Sequence, residues 1–331
     1  VTYNSGKIEV TKTVFATSGG TVTLKSGSII SKTNIGVYAK GDITGTTTIS
    51  STFNIEGGYV LAQEFAASAQ GKGATLNISG GVLVAKDNAV VAGNGTDKAG
   101  ERRGGTTINI SGGTMIGHIT SEGYIACGVY HPQQGTLNIS GGTIYADGGV
   151  GVLMRAGDAN ITGGDIIATG NASGKVGDST IIQNCYGIVY DETSSYPGMT
   201  ASDIVTVSGG ARVTADAGSE AICVMQNETA SADRVAVKGG SYSSSVADYV
   251  DDTLNFEVNN FGTYTYYTDF ATALANAQPG AQIKDLNAAP DATMYSLVVD
   301  PANGGKVISI SVSSGTKYTL PTVSKSGYAF I

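Results

Sequence analysis

The sequence predicts a mainly all-β chain. A right-handed parallel β-helix of about eight coils spans 1–245, a small α+β capping or linking segment spans 246–290, and a further module spans 291–331. Three observations predict the helix. A phrase repeats: "LNISGGTIYA" at 137–146 becomes "ANITGGDIIA" at 159–168. The residues around each Gly pair alternate apolar and polar, the mark of a strand with one buried face. And extra length never falls at the Gly pair itself.

The Gly pairs lie at 57–58, 80–81, 112–113, 141–142, 163–164, 209–210 and 239–240. The steps between their first glycines are 23, 32, 29, 22, 46 and 30 residues. The two shortest steps define a unit, and the longer ones are that unit plus insertions. A repeat of this length marks a solenoid, because one unit cannot bury its own apolar face.

Each unit holds three apolar pieces. Piece b precedes the Gly pair, as in Leu76-Asn77-Ile78, Ile108-Asn109-Ile110 and Leu137-Asn138-Ile139. Piece c follows it, as in Val82-Leu83-Val84 and Thr143-Ile144-Tyr145. Piece a comes later: "IGVYA" at 35–39, "AVVA" at 89–92, "CGVYH" at 127–131, "VGVLM" at 150–154, "YGIVY" at 186–190 and "AICVM" at 221–225. The Gly pair makes the b–c corner, since glycine adopts positive φ without steric cost. Asn54, Asn77, Asn109, Asn138 and Asn160 share the outward parity of piece b. They read as a ladder of stacked amides, and the Asn-Ile-Ser/Thr sequons among them as a by-product of the strand pattern.

The insertions flank piece a: 118–125 and 169–184 before it, 40–51, 93–105 and 192–203 after it. Insertions confined to one side of a solenoid mark its working face. Strand a is therefore expected to floor a groove, with Tyr38, Tyr130, His131, Arg155, Tyr190 and Asp191 as ligand-binding residues. Aromatic rings with a few convergent polar groups suit a glycan or a protein epitope.

Composition narrows the function. The chain has 331 residues, 48 of them Gly and none Trp, with net charge −8. The acidic balance argues against nucleic acid as partner. No apolar run is long enough for a membrane helix, so no membrane insertion is expected. Cys127, Cys185 and Cys223 each sit in an apolar run and read as buried thiols, with one disulfide as the alternative. No His/Cys spacing suggests a metal, and no cofactor motif is present. Asp87, Asp147 and Asp216 recur after piece c as corner residues. Asp158, Asp165, Asp191 and Glu192 form no evident acid–base pair, so no catalytic residue is assigned.

After the repeats, "LNFEVNN" and "TYTYYT" read as strands, and "DFATALANAQPGAQI" as a short helix with Asp269 as N-cap and Pro279-Gly280 as its stop. The last segment resembles the Listeria–Bacteroides (internalin B-type) repeat. The matching residues are Val299-Asp300, Asn303-Gly304-Gly305, Gly315-Thr316, Tyr318-Thr319-Leu320-Pro321 and Gly327-Tyr328. The family's pattern continues beyond the aromatic residue, and this copy is cut short at Ile331. The "ISGGT" repeats and "GGSYSS" resemble large surface proteins of Gram-positive gut bacteria described as adhesins. The resemblance implies a β-grasp-like final module, a secreted, cell-wall-attached location, and a monomer within a longer surface protein. It implies an adhesin that binds a host or microbial glycan or surface protein. A β-helix polysaccharide lyase or hydrolase is the alternative, and a rigid spacer the third reading.

Overall fold

A computed structural model describes residues 1–12, 15–44, 47–93, 105–118, 123–170, 173–176, 182–193, 199–225, 233–288, 292–299 and 308–314. The chain is mostly β, with parallel sheets. Its strands fall into three rows, in which each strand pairs in parallel with the equivalent strand one repeat away.

Row b holds Gly20–Leu24, Ser51–Ile55, Ala74–Ile78 and Thr106–Ile110. It continues through the first halves of Gly135–Asp147 and Asp158–Thr169 to Val205–Val207 and Val235–Val237. Register follows the alternation: Leu76 faces Phe53 and Ile108, and Ile78 faces Ile55 and Ile110. These side chains stack in buried columns at the centre of the molecule. Row c comprises Lys7–Val10, Ser28–Ser31, Tyr59–Ala62, Val82–Ala85 and Thr114–His118, then the second halves of the two long strands, Arg212–Ala215 and Ser241–Tyr242. Its inward column of large residues includes Ile29, Val60, Leu83, Met115, Ile144 and Ile166. Row a is an eight-stranded parallel sheet. It includes Val37–Lys40, Ala89–Gly93, Ala126–His131, Gly149–Met154, Tyr186–Asp191 and Ile222–Met225. It also includes Phe15–Ser18 and Ala67–Gln70, which were not among the a pieces read from the sequence.

From 57–58 to 163–164, the second glycine of each pair has positive φ and the first lies closest to the neighbouring repeat. Gly113 has φ +84°, and Gly142 has φ +87°. A Cβ on Gly112 would lie 2.4 Å from the Ser79 carbonyl oxygen one repeat away. The second glycine thus allows the bend, and the first allows the repeats to approach. In the two long strands pairing continues through this corner with a register shift, so the corner is there a bend within one strand.

The outward Asn column forms the expected ladder. Asn77, Asn109, Asn138 and Asn160 donate Nδ2–H to the Oδ1 of Asn54, Asn77, Asn109 and Asn138, at 2.8, 2.8, 2.8 and 3.1 Å. Asn54 donates to the Thr23 hydroxyl at 3.1 Å. Cys127, Cys185 and Cys223 are free thiols, the first two buried. Burial pushes the Cys223 thiol up to about 12.

Beyond the rows, the hairpin Phe256–Asn259 and Tyr264–Tyr267 docks antiparallel on Ser241–Tyr242. The Tyr266 and Tyr242 rings meet edge to face at 6.0 Å. The helix Phe270–Asn276 begins at Asp269, whose carboxylate accepts the Thr272 backbone N–H at 2.9 Å. A second core gathers Phe256, Val258, Phe270, Leu274 and Ile283, and also Val312. Val312 lies on Ile308–Ser313, which pairs in parallel with Gln282–Asp285. The sheet therefore crosses the boundary expected at residue 290. Of the residues resembling the Listeria–Bacteroides repeat, those in 300–307 and 315–331 lie outside the described residues.

Candidate functional site

The six residues expected to floor a groove occur on or beside row a, but they do not share one open face. Register decides this. Val129 pairs with Val152 and Val152 with Ile188, so Tyr130 lies in the column of Leu153 and Val189. Tyr190 belongs to the next column, with His131 and Met154. The glycines set the alignment: a Cβ on Gly128 would meet the Gly151 carbonyl oxygen, and one on Gly151 that of Gly187. The backbones stack glycine on glycine, and the tyrosines of "CGVYH" and "YGIVY" fall one residue out of step. Because successive strand residues point to opposite faces, Tyr190 faces the central core and Tyr130 the opposite side.

The outer side is covered as well. Val176 and Ile182, from the insertion at 169–184, pack with Cys127, Tyr130, Val150, Leu153 and Val189 in a separate apolar cluster. These two residues cover the outer side of row a. Tyr130 is 5% exposed, Tyr190 0%, His131 0%, Arg155 3% and Asp191 1%. These residues are not open stacking platforms. Only Tyr38 is partly exposed, and its hydroxyl donates to Gln70 Oε1 at 2.7 Å.

What the structure assembles is a buried polar network. Arg155 donates from Nη1 to the Tyr130 hydroxyl at 2.6 Å, and its Nε lies 3.7 Å from Asp191 Oδ2. Asp191 Oδ1 accepts the Thr193 backbone N–H at 3.0 Å and its hydroxyl at 2.6 Å. His131 donates from Nδ1 to the Ala156 carbonyl at 3.1 Å, leaving Nε2 without a partner among the described residues. Burial holds His131 below the ordinary histidine range, so the ring is neutral.

Next along the stack, Glu192 pairs with Arg234, and both are buried. Arg234 also donates from Nη1 to the carbonyls of Thr200 at 2.7 Å and Asp203 at 3.1 Å. Its guanidinium carbon sits 5.4 Å from the Tyr190 ring centre. Asp203 accepts from Gln134 at 2.7 Å, the Gly157 N–H at 3.0 Å, the Thr200 N–H at 2.8 Å and the Thr200 hydroxyl at 2.6 Å. Burial alone would raise the Asp203 carboxyl, but these donors together hold it below its ordinary value.

Arg234 is where this network reaches a cavity. A space of about 630 Å³ opens between Val235–Val237 and the segment Asp248–Asp252. Asp233, Arg234, Asp248, Tyr249, Asp251 and Asp252 line it. Asp251 is held below the usual carboxylate range, first by the Thr253 hydroxyl and N–H and also by Lys238. Burial raises the Tyr249 phenol. No described residue takes up the Nη2 N–H groups of Arg234. Among the described residues no group of three or more His, Cys, Asp or Glu side chains is arranged to hold a metal ion.

Sequence reasoning weighed Glu192 only as a candidate acid–base residue and did not single out Asp203 or Arg234. One signal was available: Asp203 stands at a register position where earlier repeats carry Gly20, Ser51, Ala74, Thr106, Gly135 and Gly157. A scan against family models, a search of curated proteins and a search of solved structures found no match.

Proposed function

We propose that the three rows are the faces of a right-handed parallel β-helix, and that this helix is the ligand-binding part of a bacterial surface adhesin. The even parallel register over successive repeats supports the helix. The ligand is a glycan, and its site is the acidic cavity at the C-terminal end of the rows, not strand a. One observation carries this reading: Arg234 is fixed from behind by Glu192, Thr200 and Asp203, yet its Nη2 donors remain available beside four aspartates and Tyr249. Carboxylates accept from sugar hydroxyls, a guanidinium donates to them, and a tyrosine edge supplies apolar contact. Donors fixed before binding lower the ordering cost of association.

The test is a glycan array followed by calorimetry on any hit, with Asp248→Asn and Asp252→Asn beside the parent. Each variant should weaken binding by about tenfold, equivalent to ~1.4 kcal/mol, with an unchanged melting temperature. Undiminished binding in both variants places the ligand elsewhere. The four carboxylates also favour a second reading, cleavage of a polysaccharide by a positioned acid and base. Release of reducing ends that is lost in Asp248→Asn or Asp252→Asn would establish that reading instead.

A further inference from the structure

We infer that the outward face of row c is a self-association surface, on which a second copy of this chain packs face to face with its stacking direction reversed. This inference does not depend on the ligand reading above, since it concerns a different row.

Outward positions of a one-sided sheet are normally polar. Row c departs from that rule. Ile30, Leu61, Val84, Ile116, Tyr145 and Ile167 occupy one outward column, each paired in register with the next. All six are partly exposed. The neighbouring column adds Tyr59 and Val82, the latter 37% exposed. A continuous apolar stripe of about 24 Å, at ~4.8 Å per strand, is therefore presented to solvent.

The charges beside the stripe say what covers it. Next to the stripe, seven row-c strands share a column of small residues in register: Ser31, Ala62, Ala85, Gly117, Ala146, Ala168 and Ala215. The next residues are Lys32, Gln63, Lys86, His118, Asp147, Thr169 and Asp216; His118, Asp147 and Thr169 pair in register, Lys32 also pairs with Glu9 at 2.7 Å, and Asp216 accepts the Gly170 N–H at 2.6 Å. This series is basic at one end and acidic at the other, with His118 at its middle. Reversing the series about His118 places Lys86 against Asp147, Lys32 against Asp216, and Gln63 against Thr169. The same axis places Ile116 against itself, Val84 against Tyr145, and Leu61 against Ile167. In the remaining outward column it places Val82 against Thr143 and Tyr59 against Asp165, which is paired with Arg212 of its own chain, and at the stripe's end it places Ile30 against Thr214.

A twofold axis in the plane of the face, perpendicular to the stacking direction and passing over Ile116, produces all of these pairings at once. That is the self-complementarity a twofold interface requires. A copy packed in the same direction, about an axis along the Ile116 column, would set Lys86 against Val82 and Lys32 against Ser28, and would leave both cations without a carboxylate across the interface. Seven strands and three outward columns give a patch of roughly 600 Å² per copy on strand spacing, somewhat below the ~800 Å² per partner of a standard interface. The association is therefore expected to be weak and concentration-dependent.

The test is sedimentation velocity on the whole chain, under reductant because the thiols are free, over a range of protein and salt concentrations. The expected result is a monomer–dimer equilibrium that weakens with salt. Ile116→Lys puts two like charges on the axis and should raise the dimer dissociation constant by more than about tenfold, with circular dichroism and melting temperature unchanged. Lys86→Asp and Asp147→Lys should each weaken the dimer, and the two together should restore it to near the parent value. Asp147→Lys also breaks the local His118–Asp147 contact of 2.9 Å, which stays broken in the combined variant, so restoration reports the contact between copies. A chain that stays monomeric at every concentration, a dimer indifferent to Ile116→Lys, or a combined variant no better than its single parents would each overturn the proposal.

Discussion

Arg155 reaches the Tyr130 hydroxyl across 2.6 Å with both side chains buried, so the tyrosine is a structural hydrogen-bond partner. Tyr130→Phe should keep the ring's packing but leave the Nη1 donor without that acceptor. Losing one partner of a buried hydrogen bond to a charged group costs about 1.5–3 kcal/mol. Arg155→Ala should cost more, about 3–5 kcal/mol, because Asp191 then stays buried without its cation. Denaturant midpoints give both values. Unchanged midpoints would place Tyr130 at the surface.

Row b separates core from ladder within two adjacent residues. Ile110→Ala removes a fully buried side chain and should cost about 2–5 kcal/mol. Asn109→Ala removes one amide from a chain of partly buried ones and should cost on the order of 1 kcal/mol. The reverse order in chemical denaturation would mean that the inward and outward faces are exchanged.

The two glycines of one corner should differ in sensitivity. Gly113→Ala forces an alanine into positive φ, a cost of about 1–2 kcal/mol, and sets its Cβ 2.8 Å from the Gly80 carbonyl oxygen, a milder approach than the 2.4 Å at Gly112. Gly112→Ala drives a methyl into the Ser79 carbonyl, which is backbone and cannot swing aside. The larger drop in melting temperature is expected for Gly112→Ala. Equal drops would mean that the repeats separate without resistance.

Acid should weaken the fold in two steps, because both shifted groups bind protons more readily when unfolded. His131 titrates below its ordinary 6.5, so its neutral form is favoured in the fold. Stability is fully present above pH 6.5 and falls as the pH drops towards the folded value. Asp203 titrates below its ordinary 3.8, so its contribution is complete above that pH and is lost as the pH falls further. Melting temperature against pH should flatten below 6.5 in His131→Gln, and below 3.8 in Asp203→Asn. Parallel curves for parent and variants would show that neither group is linked to folding.

Much of this architecture can be read from residue order, because the forces that write it are local. Alternation in "TLNI", "TINI" and "TLNI" needs only one buried face and one outward face, and each repeat states it again. The Gly pairs mark a bend whose φ no other residue adopts cheaply. The Asn ladder follows once identical parity is stacked, and Asp269 announces its helix through a bond to Thr272 within one turn.

Row a resists the same reading. Ala126–His131 and Gly149–Met154 are buried on both faces, so no alternation survives in their sequence to declare which side is inward. The out-of-step tyrosines are settled by the stacking of Gly128, Gly151 and Gly187, a contact between repeats. The cavity residue Arg234 acquires its partner Glu192 from 42 positions away. Such a pair depends on which repeats are neighbours and where the insertions fold, and one repeat carries no record of either. Residue order by itself determined the repeat, its corners and its central core. Tertiary structure alone decided which aromatic rings are buried and which charges meet, because those depend on contacts between chain segments that are remote in sequence.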